Sequence, residues 1–328
     1  MTDSAPPAAD GRRALDALGL PGIDAEPPAS PLAFPDGGAW RLEIPSVEGP
    51  RVLNAVLNAA DEWDVPVHRV SQGSGVGMLT DGEITEMVQA CAQAGIELCL
   101  FARPGANWDI GAARDSAAGS VSSRSRGTAQ LAAGVAEAER AAALGVRSLL
   151  VADEGLLWVL HSMRSRGDLP ADLQLKVSVM AGPVNPAALA VQEHLGADTV
   201  NVPSDLTLHQ LAELRAASPV TLDFYVEAPD NVGGFVRHHE IAGIVRAAAP
   251  VYVKFGLRNA PDVYPSGEQL GAVAAASARE RVRRARLGLD VLARTPEAPP
   301  MSPLGRREQP QAARFTPPGF SGGRGASA

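Results

Sequence analysis

Eight short runs rich in β-formers alternate with eight Ala/Leu-rich helical stretches through the middle of this 328-residue chain, and that alternation limits the fold more than any other feature. The strand-like runs lie at 40–44, 67–71, 97–102, 148–152, 175–179, 199–202, 222–226 and 251–255. The helical stretches follow at 52–63, 81–94, 128–144, 156–166, 185–195, 207–216, 239–248 and 268–293. Thr80, Asp205 and Asn185-Pro186 stand where helix N-caps belong, and Gly95, Gly145 and Gly196 where helices stop. A helix between successive strands returns the chain to the same end of the sheet, so the strands run parallel, and eight is the number that closes such a sheet. The chain reads as α/β, a (β/α)8 TIM-type barrel forming a single domain over residues 39–293. An open doubly wound sheet is the competing arrangement. Against it, no GxGxxG joins the first strand to its helix.

Residues 1–38 and 294–328 each hold seven prolines and five glycines with little apolar periodicity. Both are expected to be flexible tails. The segment 103–126 is longer than the other connections and carries Trp108 among Gly, Ser and Arg, the composition of either a lid that folds over a ligand or an inert insert. Net charge is −8, which weighs against a generally basic nucleic-acid binder. No run of about 18 apolar residues is present, so no membrane span is expected. The N-terminal residues lack the basic-then-apolar order of a secretory signal, so a cytoplasmic location is expected. Two cysteines, Cys91 and Cys99, are too few for a disulfide framework or a zinc knuckle. Oligomeric state is left open.

Parity along the strands supplies the candidate site. Side chains of a barrel strand alternate between the helix layer and the interior. Leu222, Phe224 and Val226 oppose Asp223, Tyr225 and Glu227; Val251, Val253 and Phe255 oppose Tyr252 and Lys254; Leu175, Val177 and Val179 oppose Lys176 and Ser178. Leu42 and Ile44 oppose Arg41 and Glu43, and Leu98 and Leu100 oppose Glu97, Cys99, Phe101 and Arg103. The interior is thus expected to hold Arg41, Arg103, Lys176 and Lys254 against Glu43, Glu97, Asp223 and Glu227, with Asp153 at the end of the fourth strand. Unpaired ions there cost several kcal/mol each, so they must pair or hold a ligand. Arg41, Glu97 and Asp223, near strand starts, read as ion-pairing residues. Active sites of this fold lie at the C-terminal mouth. The catalytic candidates are therefore Glu227, Lys254, Asp153 and Glu43, and the substrate-binding candidates Arg103, Gln72, Glu154, Ser178, Asn201, Arg258 and Lys176.

Of the 29 basic residues only Lys176 and Lys254 are lysines. GC-rich coding accounts for scarce surface lysines, but not for two survivors with inward parity. Two carboxylates and a lysine around one pocket suit proton abstraction, carbonyl polarisation or Schiff-base chemistry. Glu43, Asp153 and Glu227 could hold a hard divalent cation through oxygen, although no HExxH or HxH occurs and no metal is assigned. The glycines at 73, 75 and 77, and at 233 and 234, could turn backbone N–H groups toward an anion. The arginines at 279, 281, 283, 284 and 286 read as a solvated helix face. Cys91 and Cys99 read as small core residues.

From VADEGLL (151–157) through KVSVMAGPVNPAALAVQEHLGADTVNVPSDLTLHQLAEL (176–214), the order of pieces resembles the collagenase-like peptidase superfamily. The positions that carry it are Ser178, Asn185, Asn201 and Asp205, within about residues 145–230. The resemblance implies a barrel and a hydrolase. Family members follow the seventh strand with a Glu, His, Gly segment and a cysteine cluster, which in some relatives holds iron–sulfur. This chain has FYVEAPDNVGGFVRHHE there, with Glu227 and no cysteine, so an iron–sulfur cofactor is not expected. The expected activity is that of a barrel enzyme acting on a small polar or anionic substrate, without a cofactor and without general protease function. A Schiff-base lyase or isomerase using Lys254 and a non-catalytic binding or accessory barrel are the alternatives.

Overall fold

In the computed structural model, which describes residues 17–18, 26–103 and 124–304, eight parallel strands close into one barrel in chain order. They are β1 (Trp40–Pro45), β2 (Arg69–Ser71), β3 (Glu97–Phe101), β4 (Ser148–Val151), β5 (Gln174–Val177), β6 (Thr199–Asn201), β7 (Thr221–Glu227) and β8 (Val251–Phe255), with β8 paired back to β1. The helices between and after them are α1 (Pro50–Trp63), α2 (Asp81–Ala94), α3 (Gly127–Ala143), α4 (Glu154–Arg166), α5 (Pro186–His194), α6 (Leu208–Ala217), α7 (Ile241–Ala248) and α8 (Gly271–Ala293). The (β/α)8 expectation holds. The Trp108 segment and most of the residues expected as tails lie outside the described residues.

The main apolar core is the shell between sheet and helices. Leu42, Ile44, Val70, Leu98, Leu100, Phe224 and Val253 point outward into it, against stripes such as Val52, Leu53, Val56 and Ala59 on α1. Local signals set the ends. Thr80 caps α2 by accepting from the Glu83 N–H while Glu83 answers at the Thr80 N–H, and Gly95 closes the helix in the left-handed region at φ 68°. The α6 cap is Thr207, paired with Gln210, and not Asp205: only the residue directly before the first turn can reach its N–H groups. β5 stops at Val177 because the Ser178 hydroxyl caps a 3-10 turn over Val179–Ala181.

Ordered packing extends past 39–293 on both sides. Below the strand starts, Phe34 is buried, with the Arg41 guanidinium 4.1 Å over its ring. Asp36 pairs with Arg41 at 2.9 Å. From the other direction, the Ala39 N–H donates to the Pro300 carbonyl (2.7 Å) and the Ser302 N–H to the Trp40 carbonyl (2.9 Å). Two segments expected to be flexible thus form the barrel floor; the sequence hides this because one Phe and one Ser among prolines carry no periodicity.

Candidate functional site at the barrel mouth

Register around the sheet sorts the inward side chains into tiers drawn from alternate strands. Glu43, Cys99, Lys176 and Asp223 form a middle tier. Arg69, Ser148, Thr199 and Tyr252 lie below it, Ser71, Leu150, Asn201 and Lys254 above it, and Phe101, Ser178 and Tyr225 line the mouth.

Glu43 is the hub. It receives the Lys176 Nζ at 2.7 and 2.6 Å, the Arg69 Nε at 2.7 Å and the Ser71 hydroxyl at 2.6 Å, with Lys254 Nζ 3.4 Å away. Arg69 also bridges to Asp223 and lies 3.4 Å over the Tyr252 ring. Burial would raise the Glu43 carboxyl, but Arg69, Lys176 and Lys254 overcome that and hold it well below the usual carboxylate range. Lys176 is pushed down by burial and by the Arg69 charge, which Asp223 and Glu43 do not fully offset. Both directions follow from one imbalance: Arg69, Lys176 and Lys254 share Glu43 and Asp223. Glu43 is thus held as a carboxylate within the ion tier.

Arg69 is the residue that parity reading missed. The run at 67–71 places Val67 and Val70 in the outer core, so it does not alternate cleanly, and Arg69 carried no signal apart from its position between them. Arg41 and Glu97 are floor groups as expected; Arg41 donates to the Tyr252 hydroxyl (3.2 Å), which donates to Glu97 (2.9 Å).

Above the ion tier lies a cavity of about 70 Å³. Lys254, Asn201, Ser71, Ser178, Gln72 and Arg103 line it, together with Tyr225, Tyr264, Phe101, Leu150 and Met180; among the described residues that line it, none is acidic. Lys254 Nζ donates to Asn201 Oδ1 at 2.6 Å and sits 4.1 Å from the Tyr225 ring centre. Burial and the Glu43 charge raise the Tyr225 hydroxyl, which stays a neutral donor. Gln72 is committed to the loop after β2, exchanging hydrogen bonds with Gly75 N and O (3.1 and 2.8 Å). Arg103 reaches across the mouth to the Gly73 carbonyl (3.0 Å). Lys176 lies sealed beneath the cavity at 0% exposure and does not line it.

Six expected site residues do not line this cavity: Glu43 and Lys176, in the ion tier, and Asp153, Glu154, Glu227 and Arg258. Asp153 caps α4, accepting from the Leu156 N–H (2.7 Å) and the Ser125 N–H (3.0 Å). Glu154 points outward to an exposed bridge with Arg124 at 2.6 Å. Glu227 is displaced by a β-bulge: Tyr225 pairs with Lys254, but Glu227 pairs with outward-facing Phe255. The extra residue breaks the alternation, and the Glu227 carboxylate meets His238 Nε2 (3.0 Å), the Arg258 N–H (3.1 Å) and Arg284 (3.9 Å). Arg258 sends its own guanidinium to the Gly234 carbonyl (2.9 Å) and toward Asp230.

The glycine loops do not offer the expected anion cradle. Gly73 and Ser74 N–H groups donate to Glu48 (2.8 and 2.9 Å), and those of Gly233 and Gly234 to backbone carbonyls. Glu43, Asp153 and Glu227 face different partners, and no group of three His, Cys, Asp or Glu side chains gathers as a metal set among the described residues. Burial pushes the Cys91 thiol up to about 12 and the Cys99 thiol up to about 11, so neither is a thiolate near neutral pH. Of the basic run on α8, Arg279, Arg283 and Arg284 pair with surface carboxylates, whereas Arg281 turns inward and is buried.

No protein-family model matches the sequence, and no curated protein does. Among solved structures, the chain is similar to the U32 peptidase Mk0906, with 18% identity over 64% of this chain and 74% of that one and a TM-score of 0.37. It is similar to the putative copper homeostasis protein CutC from Streptococcus agalactiae at 12% identity, covering 65% of this chain and 98% of that one, TM-score 0.42. A putative lyase/mutase from Burkholderia cenocepacia J2315 matches at 13% identity over 72% of this chain and 80% of that one, TM-score 0.43. The barrel assignment rests on the chain's own closed sheet. No helix among the described residues is long and apolar enough to cross a membrane.

Proposed function

We propose that this barrel is an enzyme acting on a small anionic substrate, with Lys254 as the group that stabilises negative charge. The observation that carries the reading is the mouth cavity, which Lys254 and Arg103 line and which no described acidic side chain lines. In a water-poor site, a fixed ammonium beside a carbonyl or carboxylate oxygen favours an enolate or oxyanion over its neutral precursor. Asn201 and Glu43 fix the direction of the Lys254 head group. Tyr225 adds a neutral O–H, and Ser178 and Ser71 supply further hydroxyls. This chemistry calls for no cofactor. The peptidase reading is carried by resemblance alone.

The test is ligand-observed NMR with a panel of small carboxylates and 2-oxo acids. Wild type should saturate, and Lys254→Met should lose at least tenfold in affinity while keeping its circular dichroism spectrum. Equal binding by Lys254→Met, or preference for neutral or cationic ligands, would overturn the reading.

Schiff-base formation is the second reading, because Lys254 is the lysine that lines the cavity. Its Nζ would have to shed a proton, attack a ketone and expel water. The Nζ already donates to Asn201 Oδ1 at 2.6 Å and lies 3.4 Å from Glu43, so these contacts would have to break as it attacks. Borohydride reduction with a bound 2-oxo acid should leave the protein mass unchanged; a covalent adduct lost in Lys254→Arg would favour the imine instead.

A further inference from the structure

The mouth cavity is not uniformly polar. Inside the barrel, Cys99, Phe101, Leu150 and Ala152 form an apolar cluster separate from the outer core, with Met180 packed on it. All come from β3, β4 and the turns that follow β4 and β5. In an eight-stranded barrel, β4 stands across the interior from β8 and β3 from β7. Leu150 therefore faces Lys254 within one tier, and Phe101 faces Tyr225 in the next. Phe101, Leu150 and Met180 form one wall of the cavity, and Lys254, Asn201 and Tyr225 the opposite one.

Apolar side chains are the usual filling of such a barrel, but along the cavity they leave an apolar surface across from the buried Lys254 ammonium. The wall does suit a ligand that is anionic at one end and apolar at the other. A space of about 70 Å³ at the base of the mouth suits a short chain. We infer that the substrate is a short-chain carboxylic acid with a compact aliphatic substituent, its carboxylate at Lys254 and its alkyl group against Phe101, Leu150 and Met180. Leu150 sets the length of chain accepted. A sugar acid, or another acid hydroxylated along its chain, would leave hydroxyls unpaired against that wall. The inference rests on the anionic-substrate reading and refines it.

The experiment measures dissociation constants by ligand-observed NMR for acetate, propanoate, butanoate, 3-methylbutanoate and hexanoate, beside glycerate as the hydroxylated match to propanoate. Affinity should rise about threefold to fourfold for each added methylene and peak at four or five carbons. Glycerate should bind more weakly than propanoate. Leu150→Ala should move the peak to a longer chain while acetate binds as in wild type. Met180→Gln, at the half-buried edge of the wall, should flatten the chain-length dependence if Leu150→Ala fails to fold. Flat dependence on chain length in wild type, or tighter binding of glycerate than of propanoate, would overturn the inference while leaving the anionic reading intact. Binding of none of these acids would overturn both.

Discussion

Lys176 and Lys254 share residue type, inward parity and contact with the same carboxylate, yet one tier of barrel height separates two kinds of site. Lys176 holds both Glu43 oxygens and is sealed. Lys254 touches Glu43 at 3.4 Å, leans on Asn201 and opens onto the cavity. A closed ion tier supports the tier above it: carboxylates pinned by several cations are fixed charges, and the cation left over points at the opening. The barrel therefore sets two charge environments one tier apart, one sealed and one lining the cavity.

The strongest way to break that separation is Glu43→Gln. It would leave Arg69 with Asp223 and Glu97, and Lys176 with Asp223, as counter-charges, and remove the carboxylate beside Lys254; breaking a buried pair from one side costs about 3–5 kcal/mol. Urea unfolding should register a loss of that size; a loss under about 1 kcal/mol would mean that the ion tier is not the support described here. Lys176→Met should cost less than Glu43→Gln, because removing one of three cations brings the tier toward balance.

Next in size is a pH effect at the floor. His68 is buried, with Nδ1 accepting from the Leu42 N–H (3.2 Å) and Nε2 donating to the Ser302 carbonyl (3.0 Å), so the ring is neutral. Burial lowers its pKa to about 4, despite the Ser302 contact. The unfolded chain takes up a proton near pH 6.5 that the folded chain refuses. This group's contribution is therefore intact above 6.5, is lost as pH falls toward 4, and amounts to about 3 kcal/mol in all. Urea titrations at pH 7 and pH 4.5 should register most of it, and His68→Gln should remove that part of the pH dependence.

Lys254→Met separates the two tiers directly. Loss of a charged hydrogen-bonding partner should weaken carboxylate binding by about 1.5–3 kcal/mol, whereas the melting temperature should move less than in Glu43→Gln. The reverse order of effects would place Lys254 with the structural ions. Smallest is Ser302→Ala. It removes hydroxyl contacts to Arg41 (3.2 Å) and Asp36 (2.9 Å) and should cost about 1 kcal/mol, measurable by calorimetry. No change would mean that the floor segment docks through its backbone alone.

Much of this molecule was legible before any coordinates. Eight alternating units fixed the barrel, and two-residue parity placed Arg41, Glu43, Lys176, Asp223 and Lys254 inside, because both depend only on local periodicity. Gln72, Arg103, Ser178 and Asn201 reached the cavity for the same reason: the end of a barrel strand is its mouth. Parity failed where the chain stops being periodic. The bulge in β7 turned Glu227 outward, and helix capping claimed Asp153, a use of a carboxylate that no pattern separates from catalysis. Arg69 was lost between Val67, ahead of the strand, and Val70, both of which face outward. The sequence by itself determined which residues enter the barrel; tertiary structure alone decided their height, and with it which charges neutralise one another and which one lines the cavity. The reason is that tier height depends on the stagger between strands far apart in the chain, a quantity no local pattern carries.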